Sequence, residues 1–330
     1  MISVVIPLYN KAHTIERTLK SVISQTYTKF EVIIVDDGST DKGVEILNKF
    51  KDDTRIKIIR QVNQGVSVAR NVGVANANYE YIAFLDGDDD WDPNYLATIN
   101  KALKKYPQAG MICCAGFFKN SKTNRTSLRL ADKYRDEIKE INYFENPHVF
   151  SHTSATVVSK KVFNETDGFP IGMKKNEDYV LFFSIALLSP TVYCGIPLSF
   201  YYGQVEGQAT TSNRIDSLAS DLDVCKKFNL TYFIWNSLGR KNKLFKVFLK
   251  YELRHIFINI LRNHDFERVQ LFKVNLDKGI LNLFMPLEIP LYTKQNLGKV
   301  SILYIIFTKM LWRLNGYPRV GEGKKLNKRK

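Results

Sequence analysis

Asp86-Gly87-Asp88-Asp89-Asp90 sets four carboxylates within five residues, directly after the apolar run Tyr81-Ile82-Ala83-Phe84-Leu85. Carboxylates this close repel one another, and burying any of them is costly unless a cation compensates. Hard oxygen donors at this density suit Mg²⁺ or Mn²⁺, and such an ion in turn suits a phosphate group. A solvated acidic turn after a strand is the other use of the same residues. A calcium loop is excluded by spacing. Asp86, Asp88, Asp90 and Asp92 fall at loop positions one, three, five and seven, but the sixth position, which needs glycine, is Trp91, and the twelfth, which needs glutamate, is Ala97.

The elements that must hold this cluster follow from periodicity. Ile2-Ser3-Val4-Val5-Ile6 reads as a strand closed by Pro7, and Ile15, Leu19, Val22 and Ile23 recur at i, i+4, i+7 and i+8, the stripe of a helix lying on a sheet. Val32-Ile33-Ile34-Val35 is a continuous apolar run, the mark of a strand buried on both faces. A helix over about 43–51, a strand over 56–60, a helix over 67–75 and the strand at Tyr81 to Leu85 follow. This βαβαβαβ order predicts an α/β domain of three layers with a mostly parallel central sheet, in which ligands bind beyond the carboxyl ends of the strands.

Polar residues gather at those ends. Pro7-Leu8-Tyr9-Asn10 follows the first strand, Asp36-Asp37-Gly38-Ser39-Thr40-Asp41 ends the second, and the Asp86 cluster ends the fourth. Asp-Gly-Ser-Thr-Asp alone also serves as a turn and helix cap. Coincidence at three strand ends argues for one cleft. Further on, 121–148 reads as polar and loop-rich, 151–158 as a strand, and Ser159 as the cap of a short helix. Asn176-Glu177-Asp178 opens an apolar helix to about Leu188, with a strand around Val192 to Cys194. Residues 179–205 carry no charge, but Pro190, Gly195 and Pro197 interrupt them too often for a membrane span.

The chain of 330 residues can bury a large core, and its net charge of +15 is lopsided. Residues 215–330 hold 22 Lys and Arg against 9 Asp and Glu, whereas residues 1–214 hold 26 against 24. The excess points to a basic module that meets a polyanion. Met1-Ile2-Ser3-Val4-Val5-Ile6-Pro7 lacks a basic start and reaches proline early, so no secretory signal is expected. Cys113, Cys114, Cys194 and Cys225 show no CxxC spacing and read as reduced packing residues of a cytoplasmic protein.

Five motifs in sequence carry a resemblance: Val4-Val5-Ile6-Pro7-Leu8-Tyr9-Asn10; Val35 to Asp41; Asn63-Gln64-Gly65 followed by Ala69-Arg70-Asn71-Val72-Gly73; Leu85-Asp86-Gly87-Asp88-Asp89; and Glu177-Asp178. Over about residues 1–210 the chain resembles glycosyltransferase family 2, with its GT-A fold. The resemblance implies a catalytic domain over 1–214, with the nucleotide-sugar side at about 1–117 and the acceptor side at about 118–214. It implies a metal-dependent, inverting transfer from a nucleoside-diphosphate sugar, UDP by default, to a saccharide or lipid-linked acceptor in surface-polysaccharide assembly. Asp88, with Asp86, would hold Mn²⁺ or Mg²⁺. Asp37 would bond the base, Pro7 and Tyr9 would line its pocket, and Gly65, Arg70, Asp86 and Gly87 would complete the nucleotide-sugar site. Asp178, beside Glu177, would be the base that takes the acceptor proton, and burial would raise its proton affinity. Taken alone, Glu177 and Asp178 equally suit a helix N-terminus, and Arg70 a surface charge. The chain departs from its relatives after Tyr201-Tyr202, where many carry arginine and histidine; Gln204, Glu206 and Gln208 are the candidates for the missing contact. His152, His255 and His264 read as structural or solvated.

In the basic part, Lys243, Lys246, Lys250 and Arg254 fall within about 80° of a helical wheel, on a different arc from Leu244, Phe245, Phe248 and Leu249. The pattern predicts a helical, basic C-terminal region over 215–330 that meets an anionic membrane surface or packs on protein, and places the enzyme peripherally on the inner face of the cell membrane. Lys324 to Lys330 adds a polybasic end. Two other classes compete. A nucleotidyltransferase would show a glycine-rich basic loop after the first strand, where this chain has Pro7-Leu8-Tyr9-Asn10-Lys11; a dehydrogenase is excluded because no GxGxxG stands there. A nucleic-acid-binding protein would use the basic half, but no recognition motif accompanies it and the carboxylate cleft repels phosphate unless it is metal-loaded.

Overall fold

The structure, a computed structural model, describes residues 1–203, 217–294 and 297–314. The first four strands are β1 (Ile2–Leu8), β2 (Phe30–Asp37), β3 (Ile56–Gln61) and β4 (Tyr81–Phe84), alternating with helices α1 (Ile15–Ile23), α2 (Gly43–Leu47) and α3 (Val66–Ala75). After the acidic cluster come β5 (Asp90–Trp91), α4 (Tyr95–Lys105), β6 (Met111–Asn120), β7 (Arg125–Arg129), β8 (Ile138–Ile141), α5 (Pro147–Phe150), β9 (Thr156–Ser159), α6 (Lys160–Asn164), α7 (Glu177–Leu188) and β10 (Thr191–Gly203). Helices α8 (Ser217–Ser237), α9 (Lys243–Arg262), α10 (Phe266–Asn275), α11 (Lys278–Leu281), α12 (Glu288–Thr293) and α13 (Gly298–Leu314) follow.

The sheet runs β3-β2-β1-β4-β9-β6-β10-β5, with β7 on β6 and β8 on β10. β3, β2, β1 and β4 are parallel, as the repeating pattern requires, and β6 pairs parallel with β10. The sheet as a whole is mixed, because β9 is inserted antiparallel between β4 and β6 and the short strands β5, β7 and β8 are antiparallel edges. Three sequence expectations shift accordingly. The strand expected over 151–158 begins only at Thr156, after a turn of 3₁₀-helix at Thr153–Ala155; the stretch expected to be loop-rich holds β7 and β8; and the strand near 192–194 extends to Gly203 through a register shift between Cys194 and Ser199. Polar edge strands such as Arg125–Arg129 lack the apolar run that betrays inner ones.

Alternation along the strands builds two cores. Val4, Ile6, Val32 and Ile34 meet α1, α2 and α4 on one face, and Val5, Ile33 and Val35 meet α3 and α7 on the other. Gly73 of α3 lets that helix lie against β1: a Cβ there would stand 2.3 Å from Cγ1 of Val5. The second core continues without a break into the C-terminal helices. Phe144 stacks edge-on with Phe245 at 4.9 Å, and Phe183 of α7 with Phe248 of α9 at 5.4 Å. Such pairs add ~0.5–1.5 kcal/mol each beyond their burial. All four cysteines are free and buried.

Candidate active site

The backbone of the acidic cluster is clamped from α1. Thr14 Oγ1 donates to the Gly87 carbonyl (2.7 Å), Arg17 to that of Asp88 (2.5 Å) and Thr18 Oγ1 to that of Asp89 (2.7 Å). The carboxylates then part company. Asp89 turns into the protein, where it is fully buried and accepts from Ser154 Oγ (2.5 Å) and the Tyr202 amide (3.0 Å); burial and the neighbouring Asp88 and Asp86 push its pKa well up. Asp90 accepts from the Tyr202 hydroxyl at 2.8 Å and is ion-paired with Arg17 at 3.1 Å. Half-buried Asp86 and buried Asp88 are each paired with a cation: Asp86 Oδ1 lies 2.7 Å from Arg70, and Asp88 Oδ2 lies 2.7 Å from Lys11 Nζ. Gly87 sits against the Pro7 carbonyl, 3.3 Å from where its Cβ would be, so a side chain there would crowd the end of β1.

Arg70 is the joint of the site. The same guanidinium that bonds Asp86 also holds Glu177 Oε1 at 2.9 Å, and it lies over the Phe169 ring. Burial works against its charge, but Asp86, Glu177 and Asp178 outweigh that and raise its pKa. It is therefore no surface charge: it is buried and ties the end of β4 to the start of α7. Glu177 and Asp178 form the first turn of α7, entered through Asn176 in a left-handed conformation (φ 64°). Burial, with Asp178 beside it, raises Glu177 to about 6. Burial raises Asp178 as well, against the pull of Arg70. Asp178 Oδ1 accepts its neighbour's amide (2.8 Å, Tyr179), and Oδ2 lies 3.5 Å from Thr153 Oγ1.

The residues expected on the nucleotide side gather at the ends of β1 and β2. Asp37 accepts from Gln61 Nε2 (2.7 Å) and the amides of Gln64 (2.9 Å) and Gly65 (2.8 Å), so it shapes the loop ahead of α3. Gly65, at φ 91°, adopts a conformation that favours glycine. Asn10 binds the facing loop, accepting from the amides of Thr40 and Asp41. Tyr9 is 48% exposed beside it. Lys11 and Asp89 carry roles that sequence reasoning did not assign. A lysine directly after the Pro-Leu-Tyr-Asn strand end was the available signal for the first. Gln204, Glu206 and Gln208 lie outside the described residues. His152 is half-buried with Nε2 3.1 Å from Ser199 Oγ, and desolvation pushes its pKa well down.

Among the described residues no three ligand-type side chains converge as a metal cage. Asp86 and Asp88 do fit a nucleotide-site ion, which needs only one or two carboxylates because the phosphates supply the other ligands. Each has one oxygen outside its bond to Arg70 or Lys11.

Residues 3–166, about half the chain, match the sequence model of glycosyl transferase family 2. The chain belongs to that family. The glycosyltransferase GlyA of Streptococcus pneumoniae is 35% identical over 147 residues, 44% of this chain and 21% of its own length. An uncharacterized glycosyltransferase of Rickettsia bellii is 28% identical over 241 residues, 72% of this chain and 32% of its own. The chain thus spans about a fifth to a third of the length of these curated relatives. The crystal structure of S. aureus TarS 1-349 in complex with UDP-GlcNAc shares the fold, with a TM-score of 0.60 over 96% of this chain and 92% of that one at 16% identity. That coverage takes in the C-terminal helices as well as the sheet.

Proposed function

We propose that this family 2 chain is an inverting glycosyltransferase that moves a sugar from a nucleoside-diphosphate donor, UDP favoured, to a saccharide or lipid-linked acceptor in cell-surface polysaccharide assembly. The observation that carries the reading is the pair of ionic hydrogen bonds that buried Arg70 donates to Asp86 and Glu177. It sets the carboxylates suited to a diphosphate beside those suited to an acceptor hydroxyl. The TarS structures with UDP and with UDP-GlcNAc support the choice of nucleotide.

In this reading Asp86 and Asp88 hold Mn²⁺ or Mg²⁺, which when bound offsets the negative charge of the departing diphosphate. Lys11 and Arg70 add fixed positive charge at the same place. Pro7 and Tyr9 line the base pocket, and Asp37 and Gly65 hold the loop that closes it, with Gly87 leaving room for the donor beside β1. Asp178 takes the proton from the acceptor hydroxyl as that oxygen attacks the anomeric carbon from the face opposite the leaving group. Its burial raises its proton affinity toward what a base needs near neutral pH. Glu177 keeps Arg70 fixed behind it. Residues 1–214 form the catalytic part in this proposal, and 215–330 a helical basic part at the inner face of the membrane. No helix among the described residues is long and apolar enough to cross a membrane, so that contact is peripheral in this reading.

The test is a thermal-shift titration with uridine, guanosine and thymidine diphosphates, with and without Mn²⁺. A folded-state ligand at a hundred times its Kd stabilises by ~2.7 kcal/mol. A Mn²⁺-dependent shift for UDP that Asp88→Ala removes is the expected result. No shift with any nucleotide would overturn the proposal.

A further inference from the structure

A cleft of about 700 Å³ opens in the C-terminal helices, far along the chain from the acidic cluster. Five cations line it: Arg240, Lys243, Lys246, Lys250 and Arg254, and none of the described residues lining it is acidic. Arg254 is held at the wall by buried Glu288, through bonds of 2.6 and 2.9 Å, and Arg240 donates to Asn236. Among the described residues no carboxylate pairs with Lys243, Lys246 or Lys250. Burial, Arg254 and Lys246 pull the pKa of Lys250 down, and the opposing pull of Glu288 does not restore it. Most of the rest of the wall is apolar, including Val247, Leu283 and Leu311 of α13.

Leu311 also belongs to a second feature. Val300, Leu303, Ile306, Phe307, Met310, Leu311 and Leu314 are all more than 40% exposed, and on a helical wheel they cover a continuous arc of about 140°. A helix with an exposed apolar face beside a cleft lined by cations matches the pattern of helices that lie in the bilayer interface. A second copy of the chain suits the same face poorly, because the excess positive charge of residues 215–330 would meet its like.

We propose that the cleft between α8, α9 and α13 receives the phosphate headgroup of an anionic phospholipid while the apolar face of α13 rests in the adjoining acyl layer. The inference rests on the membrane placement proposed above and names the surface and site that produce it. It is independent of the sugar chemistry, so Asp178→Asn, or a failure of nucleotide binding, leaves it standing.

The experiment is co-sedimentation of the full chain with vesicles of phosphatidylcholine alone and of phosphatidylcholine with phosphatidylglycerol, at low and high salt. Binding only to the anionic vesicles, weakened by salt, is expected. Replacing Lys246 and Lys250 with glutamine should weaken it about fivefold for each lysine, from ~1 kcal/mol per cation near such a surface. Leu303→Ser with Phe307→Ser should weaken it about tenfold or more, by removing buried apolar area. Leu303, Phe307 and Lys246 are exposed, and an unchanged melting temperature verifies that these variants fold. Equal binding to neutral vesicles, or no loss in either pair of variants, overturns the proposal. So does a Lys250-dependent thermal shift with inorganic phosphate or glycerol phosphate and no vesicle binding, which would make the cleft a site for a soluble phosphate. Self-association abolished by Phe307→Ser, without vesicle binding, would assign the face to a second copy.

Discussion

Replacing Arg70 with methionine would keep much of its bulk and remove its charge. The variant leaves Asp86 and Glu177 facing each other across a site that held a guanidinium at 2.7 and 2.9 Å. Taking one partner from a buried ion pair costs about 3–5 kcal/mol. Glu177 can relieve part of this by taking up a proton. Burial and Asp178 already lift it from 4.5 to about 6 with Arg70 present, and without that cation it climbs further. A carboxyl raised in the folded state contributes stability that is full below its unfolded pKa and is lost as pH rises through the folded one. In the wild type that loss falls between 4.5 and about 6 and amounts to about 2 kcal/mol. In the variant it extends to higher pH. The expected destabilisation is therefore about 3–5 kcal/mol at about pH 8 and smaller at about pH 5, where Glu177 is protonated in both proteins. Urea unfolding at the two pH values measures it. A loss under about 1 kcal/mol at the higher pH, or an equal loss at both, would refute the account of Arg70 as a charge-balanced joint.

Asp178→Asn should lower the rate of sugar transfer by ~10²–10⁴-fold while nucleotide affinity stays near wild type; comparable turnover by the two proteins would remove Asp178 from the reaction. Gly73→Ala should destabilise by ~1–3 kcal/mol despite the better helix propensity of alanine, because its Cβ would meet Val5 at 2.3 Å. Val5→Ala should recover part of that in the double variant, and strictly additive losses would show that the close approach is not the cause. Glu288→Gln should cost ~3–5 kcal/mol by stranding Arg254. The pKa of Glu288 is held down by Arg254 and Tyr292 against the effect of burial, so the stability it gives is present above the ordinary glutamate range and is lost as pH falls through its folded pKa. An acid limb of the stability profile unchanged in Glu288→Gln would speak against this.

The sequence revealed most where the residue pattern and the chemistry coincide. Apolar runs on β1 and β2 are readable because both faces of those strands are covered, and the polar ends of three strands point to one cleft without any knowledge of distance. Arg70 was legible as a cation but not as a joint. Its partners, Asp86 and Glu177, lie 16 and 107 residues away, and no local pattern encodes that meeting. A trace was present, since Arg70 shares the small, buried face of α3 with Ala69 and Gly73. The division of labour among the four carboxylates was equally hidden. Asp89 turns inward because Ser154 and Tyr202 come to meet it from β9's approach and from β10. On α9 the basic arc suggested four equivalent cations, yet Arg254 is already bound to Glu288 from a different helix.

The continuous aromatic packing between α7 and the helices after Ser217 bears on how this chain can be taken apart. Lys227 of α8 lies buried over the rings of Tyr179 and Phe183, and Glu252 of α9 stands 3.0 Å from His148, which bonds the Tyr179 hydroxyl. The change in charge composition near residue 214 is therefore not a seam along which the molecule can be cut. A fragment ending there would bare Phe144 and Phe183 to water and remove the backing of the helix that carries Asp178. The basic half is not an interchangeable cassette, and any exchange of that half between relatives would have to carry the matching face of α7 with it.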